Sequence, residues 1–281
     1  MSNYLLIILA LLPIHMTLSQ TFEIKSIPTS IASEMYEKGT IADDAPVGLD
    51  RLSMVEIMYY DFDGNEKSGQ LIVMDAVAAS VAEIFRELHL RRFPLDKVRL
   101  ITAYNGSDDA SMEDNNTSAH NFRKVARTTR LSLHSYGTAI DINPVQNPYI
   151  LFEEGSNQVT FLPPNSVSYA NRMIKRLGKS DQIGFAEEVV EVFARHGFYW
   201  WGGFWDTPID YQHFQLDRDI SYVLAAMSAL EAKAFFNLLK NYYNEFQSPL
   251  ENLLKEKAQK DLIELYQSNP SQFLQWVNSI Y

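Results

Sequence analysis

Residues 132–144 read Ser132-Leu133-His134-Ser135-Tyr136-Gly137-Thr138-Ala139-Ile140-Asp141-Ile142-Asn143-Pro144, and the reading of this stretch governs everything around it. Ile140 and Ile142 flank Asp141 as they would on a strand, where alternate side chains point to opposite faces and one carboxylate is delivered on a face of its own. A carboxylate set between isoleucines needs a counter-charge, because an unpaired buried charge is very costly. A divalent cation would supply it. His134 precedes Asp141 by seven residues and completes a candidate pair of hard ligands, while Gly137 lets the backbone turn between them. The competing reading is a turn carrying an exposed His134 and an Asp141 that caps the next segment. Spacing alone does not separate the two.

A second cluster lies downstream, Asp210-Tyr211-Gln212-His213-Phe214. Here a carboxylate stands three residues before a histidine, a candidate base beside a candidate ligand. Two histidines and one aspartate holding Zn²⁺, with a second carboxylate beside a water whose pKa falls to roughly 7, form a complete hydrolytic set. Taken alone, His213 reads better as a core histidine in an aromatic cluster, a reading that weakens once the first cluster is considered.

Composition narrows the chemistry. The chain has 281 residues, 46% of them hydrophobic and 21% charged, an ordinary globular make-up able to bury a core. It has no cysteine, which excludes a disulfide scaffold, a thiolate zinc site, a cysteine nucleophile and an iron–sulfur cluster. A formal charge of −11 argues against nucleic acid as a partner, because nothing would drive counterion release from a phosphate backbone.

Outside the two clusters the chain divides by character. Leu5–Leu12 is an unbroken apolar run of signal-peptide length, although no Lys or Arg precedes it. We therefore expect residues 1–19 to be a signal peptide, with a buried N-terminal element or an uncleaved anchor as alternatives. The protein is then exported, periplasmic or extracellular, with no stable membrane span in the mature chain. Residues 20–50 read as a lead-in arm. Residues 52–60 and 69–74 around Asp63-Gly64 predict a β-hairpin. A helix follows with Asp75 as its N-cap, and Val98–Ala103 reads as a strand. Residues 104–120 are polar and loop-like, and Gly184–His196 has helical spacing that ends at Gly197. Residues 198–216 are aromatic around a Gly-Gly pair, and Trp200, Trp201, Trp205 and Tyr211 are candidates to wall a groove for peptide or glycan, with core packing as the alternative. Residues 220–281 read as amphipathic helices, a candidate docking element for an envelope partner.

Ser-x-His-x-x-Gly-x-Ala-x-Asp at 132–141 followed by Asp-x-x-His-Phe at 210–214 resembles the VanY-like zinc peptidases. That family includes D-alanyl-D-alanine carboxypeptidases, related dipeptidases and L-alanyl-D-glutamate endopeptidases of cell walls and phage lysis. Residues 60–74, Phe93-Pro94, Met112–Arg123, Ile142–Tyr149 and Gly197–His213 resemble its L-alanyl-D-glutamate peptidase-like branch, so the likeness covers about residues 50–216. It implies His134, Asp141 and His213 as zinc ligands, Asp210 as the catalytic carboxylate and Arg123 as the group that polarises the scissile carbonyl. Ser132 and Tyr136 become candidates for contacting substrate or fixing the loop. The chain departs from the branch at Ser118-Ala119-His120-Asn121-Phe122-Arg123, where His120 replaces a phenylalanine and Phe122 a cysteine, and at Leu133, where polar residues are common. These changes bear on substrate choice and leave the ligand set intact.

The expectation is an α+β protein: a small antiparallel sheet bearing a zinc site, flanked by helices, in a peptidase domain spanning 51–219, with an all-helical extension over 220–281. Its substrate class is a peptidoglycan stem peptide. The alternative is a non-catalytic, zinc-stabilised module that binds peptidoglycan or an envelope partner.

Overall fold

The computed structural model describes residues 22–153, 155–245 and 260–280, so the apolar run at Leu5–Leu12 lies outside the described residues. The architecture is α+β, with small antiparallel sheets and several helices. The first sheet has the order β1 (Glu23–Ser26), β2 (Leu52–Tyr60), β3 (Glu66–Met74). The predicted hairpin is present, in register from Leu52 opposite Met74 to Tyr60 opposite Glu66. Its turn is closed by the Asp61 carboxylate, which accepts from the Asp63 and Asn65 amides at 3.0 and 2.8 Å. Residues read as a lead-in arm supply the edge strand β1 and helix α1 (Thr29–Glu37), whose Met35 is buried in the core.

Helix α2 (Ala78–Leu90) lays Val81, Ile84, Phe85 and Leu88 on the hairpin, the face that the 3.6-residue period picks out. Asp75 does not cap it. Its carboxylate instead receives Arg51 in a two-pronged pair at 2.8 and 3.0 Å, and Val77 occupies the cap position. The same guanidinium donates to the carbonyls of Leu224 and Met227, which joins this sheet to the C-terminal helices.

The predicted strand over Val98–Ala103 shortens to β4 (Lys97–Val98), followed by a 3-10 turn at Ile101–Tyr104. The Asn116 side chain explains the stop. It accepts from the Arg99 amide at 2.8 Å and donates to the Arg99 carbonyl at 3.0 Å, taking the place of a strand partner. The polar stretch 104–120 also holds more order than a loop, with α3 (Asp108–Glu113) capped by Ser107 and β5 (Asn116–Thr117) parallel to β4. A second sheet contains β6 (Ala139–Asp141). A third is built on β7 (Tyr149–Phe152) and β8 (Val159–Leu162). The helix read over Gly184–His196 divides into a 3-10 turn at Ala186–Glu188 and α4 (Val190–Arg195), ending at Gly197 with φ 98°.

The second and third sheets are completed by β9 (Trp200–Trp201), β10 (Ile209–Asp210) and β11 (His213–Gln215), in the orders β6-β11-β9 and β10-β7-β8. Helices α5 (Arg218–Ala226), α6 (Ala229–Glu245) and α7 (Pro270–Ile280) follow, with 260–268 also helical. Asp217 caps α5 by accepting from the Asp219 and Ile220 amides. The apolar faces that suggested a docking element are turned inward: Val223, Leu224, Phe235, Phe236, Leu239 and Phe273 belong to the same buried cluster as the hairpin and α2. No helix among the described residues is long and apolar enough to cross a membrane.

Candidate metal centre

The site starts with a short 3-10 turn, Leu133–Tyr136. Ser132 opens it by accepting from the His134 amide at 3.3 Å, and Gly137 closes it at φ 66°. Glycine is required at 137 on two counts. The φ is left-handed, and a Cβ there would sit 2.5 Å from the Met74 amide nitrogen. That close approach lets the Gly137 carbonyl accept from Met74 at 2.9 Å, so the His134 turn is stitched to the hairpin. Next comes β6, which pairs with β11 so that Asp141 lies directly opposite His213.

These two local structures bring three side chains together. His134, Asp141 and His213 are all buried, with one candidate ligand atom from each within 4.8 Å of the others. His134 Nε2 lies 3.1 Å from one Asp141 carboxylate oxygen, and His213 Nδ1 lies 2.8 Å from the other. The two ring nitrogens are 3.3 Å apart. The reading of His134 as an exposed turn residue and Asp141 as a cap is thereby excluded. Ile140 and Ile142 are fully buried, as the alternation around Asp141 requires.

The outward ring nitrogens settle how this donor set fits a cation. His134 Nδ1 faces the Ala119 carbonyl at 2.5 Å, an acceptor only, so this nitrogen carries the proton and Nε2 keeps a lone pair. His213 Nε2 lies 2.9 Å from Gln215 Oε1, so Nδ1 is the nitrogen turned inward to Asp141. Two inward-facing imidazole nitrogens and a carboxylate converge and, once His213 gives up its inward proton, form the donor set that suits Zn²⁺ with a position left open. Neither Gln215 nor the Ala119 carbonyl was singled out in the sequence. Gln215 was legible in principle, since a residue two along a strand shares the face of His213.

Electrostatics agree with the geometry. Burial would raise the Asp141 carboxyl, but the charges and hydrogen bonds of His134 and His213 outweigh it and hold the group well below the ordinary carboxylate range. Burial opposes protonation of His213, and Asp141 overrides it, pushing the imidazole up to about 9 in the metal-free chain. Asp210 behaves in the opposite sense. Burial pushes its carboxyl up to about 6, although His213 and His134 act to lower it. Its Oδ1 is buried with no protein hydrogen-bond partner, the kind of acceptor that a water or ligand hydrogen satisfies. Gly202 makes room for it, because a Cβ at that position would lie 2.4 Å from the Asp210 carbonyl oxygen.

The remaining sequence candidates are placed less uniformly. The Arg123 backbone is joined to the His134 turn, its amide donating to Ser135 Oγ at 3.0 Å and its carbonyl accepting from the Ser132 amide at 3.0 Å. The guanidinium pairs with Asp108 of α3 at 2.9 Å, and its Nε is buried with no partner. Asp108 was not foreseen, because it lies fifteen residues upstream in a stretch read as loop. Tyr136 is turned to the C-terminal helices, its ring 5.3 Å from that of Tyr222. Trp201 is a core residue: it is 5% exposed, stacks near Phe214 and donates its indole N–H to the Tyr211 carbonyl at 2.8 Å. Of the aromatic candidates, Trp205 lies beside the cluster, 5.6 Å from the His213 ring. Tyr211 lies under Arg172, whose guanidinium is 4.3 Å from its ring centre.

His120, one of the departures noted in the sequence, is buried with neither ring nitrogen hydrogen-bonded, beside a cavity of about 10 Å³. Burial pulls its pKa down to about 3, so it is neutral in the folded protein. An unfolded histidine titrates near 6.5. Between these values the unfolded chain binds the extra proton, and stability falls as pH drops from about 6.5 towards 3. His120→Phe removes both the titration and the unpartnered nitrogens. We expect its melting temperature to exceed that of the parent by more at pH 5 than at pH 7.5, as read by thermal unfolding at the two pH values. An equal or opposite difference would contradict this account.

Residues 126–216 match the family model described as D-alanyl-D-alanine carboxypeptidase. The span contains His134, Asp141, Asp210 and His213 and begins just after Arg123. It supports the likeness to the VanY-like zinc peptidases. Neither the curated proteins nor the solved structures yield a match to the chain.

Proposed function

We propose that this chain, which carries the VanY-like peptidase signature over residues 126–216, is a zinc-dependent peptidase that hydrolyses an amide bond in peptidoglycan stem peptides. The observation that carries the reading is the buried convergence of His134, Asp141 and His213, with the unpartnered carboxylate oxygen of Asp210 in the same site. Zinc bound there would supply Lewis acidity to the scissile carbonyl and bring the pKa of a water to roughly 7. Asp210 would serve as the general base and acid, accepting a proton from the attacking water and returning it to the leaving amine. Arg123, released from Asp108, offers a cation to the developing oxyanion. The Ala119 carbonyl and Gln215 orient the two histidines. The substrate class and export of the chain rest on the family likeness and on the apolar run at Leu5–Leu12.

The test is metal analysis of the purified protein together with mass spectrometry of products from defined muropeptides. One zinc per chain and release of a terminal D-alanine, or cleavage between L-alanine and D-glutamate, is the expected result and also identifies the bond. Muropeptide binding with no cleavage across metals and pH would overturn the enzymatic reading in favour of a non-catalytic wall-binding module.

A further inference from the structure

Residues 173–183 form a finger with a fixed base and a bare tip. The Gln182 amide donates to the Ile174 carbonyl at 3.0 Å and closes the loop, and the Lys179 amide donates to the Arg176 carbonyl at 3.0 Å and makes the turn at its apex. Gly178 takes φ 75° in that turn. The base is held by Arg172, which pairs with Glu187 at 2.8 Å, donates to the Asn147 side chain at 2.8 Å and lies between the rings of Phe185 and Tyr211 at 3.9 and 4.3 Å.

The tip has the wrong chemistry for water alone. Leu177 at the apex is fully exposed, Met173 is 64% exposed, and Ile174, Ile183 and the neighbouring Val167 are also exposed. Lys175, Arg176 and Lys179 alternate with them, in a chain whose net charge is −11. Lys175 and Lys179 are exposed, and neither has an ion pair among the described residues. Apolar side chains gathered on one projection mark an interaction surface. A soluble polyanion would satisfy the lysines and leave Leu177 in water. A layer of anionic headgroups over hydrocarbon satisfies both, because the lysine stems extend along the apolar surface while their ammonium groups stay at the headgroup level.

We propose that the 173–183 finger docks the protein on an anionic lipid surface, with Leu177 and Met173 dipping into the interface and Lys175 and Lys179 on the headgroups. This does not depend on the peptidase reading. Arg172 links the base of the finger to Tyr211, next to Asp210, so docking would place the candidate metal centre close to that surface.

The test is co-sedimentation of the full chain with phosphatidylcholine vesicles and with vesicles that also contain phosphatidylglycerol. Binding is expected only to the anionic vesicles and should weaken as salt rises. Each exposed lysine near such a surface contributes about fivefold in partition, so the Lys175→Glu/Lys179→Glu double variant should lose at least tenfold. Leu177→Asp should lose at least tenfold while leaving the melting temperature unchanged, since its side chain touches no core. Binding that both variants leave intact would assign the effect to another segment, such as Leu5–Leu12, and overturn the proposal. So would no vesicle binding, or unaltered binding of soluble polyphosphate by Leu177→Asp as the sole interaction.

Discussion

Asp210→Asn is expected to lower kcat on a defined muropeptide by about two to four powers of ten while leaving one zinc bound per chain. The substitution keeps the shape of the side chain and removes its basicity. Asp210 lies outside the His134, Asp141 and His213 cluster, so the donor set survives. Its Oδ1 has no protein partner, and the amide oxygen of the variant can keep the hydrogen bond that the carboxylate shares with the Gln212 side chain. The pH dependence carries the same signature. Burial pushes the Asp210 carboxyl up to about 6 in the metal-free chain, and a nearby dication would lower it. As a base it must be ionised, so the parent rate should rise with pH along an acid limb at or below about 6, and the variant should lack that limb. A variant that binds zinc and turns over at the parent rate would remove Asp210 from the reaction.

His213→Ala is expected to abolish stoichiometric zinc binding and to destabilise the metal-free protein by about 3 kcal/mol or more. Two losses combine. The site keeps only two of its three donors, and Asp141 remains buried with one imidazole instead of two. Gln215→Leu gives a graded version of the same experiment. It removes the acceptor that holds His213 Nε2 at 2.9 Å and should weaken zinc about 10–100-fold without removing a ligand. Gln215→Glu keeps an acceptor in place and should stay near parent affinity. Zinc competition titration and urea unfolding of the metal-free chain give the readouts. Unchanged zinc affinity in His213→Ala would place the metal elsewhere, and unchanged affinity in Gln215→Leu would show that the tautomer is set by another group.

Much of this centre was legible before any coordinates. A carboxylate between two isoleucines cannot be buried uncompensated, so Asp141 pointed to a partner of opposite charge, and the alternation around it pointed to a strand. The β2–β3 hairpin was legible for a similar reason, since Asp63-Gly64 between two runs of strand formers states its own turn. Errors fell where a side chain from a distant segment decided a local outcome. Asp75 lost its capping role to Arg51, and Val98–Ala103 stopped being a strand because Asn116 took over the Arg99 backbone groups. Trp201 and Trp205 look alike as sequence, but the first packs into the core and the second sits beside His213.

Residue identities and spacing thus determined that a carboxylate between two isoleucines needs a compensating partner, that cysteine chemistry was closed to this chain, and that a carboxylate would stand three residues before the second histidine; the joining of His134, Asp141 and His213 into one ligand set came from the family resemblance. Those conclusions follow from what each side chain can donate, accept or leave uncompensated, which is a local property. Tertiary structure decided which ring nitrogens of His134 and His213 face Asp141, that Arg123 is held by Asp108, that His120 is buried without hydrogen-bond partners, and that the 173–183 tip is left bare. Each of these depends on groups far apart in the chain meeting at hydrogen-bond distance, or on none arriving, and neither outcome is written in the neighbouring residues.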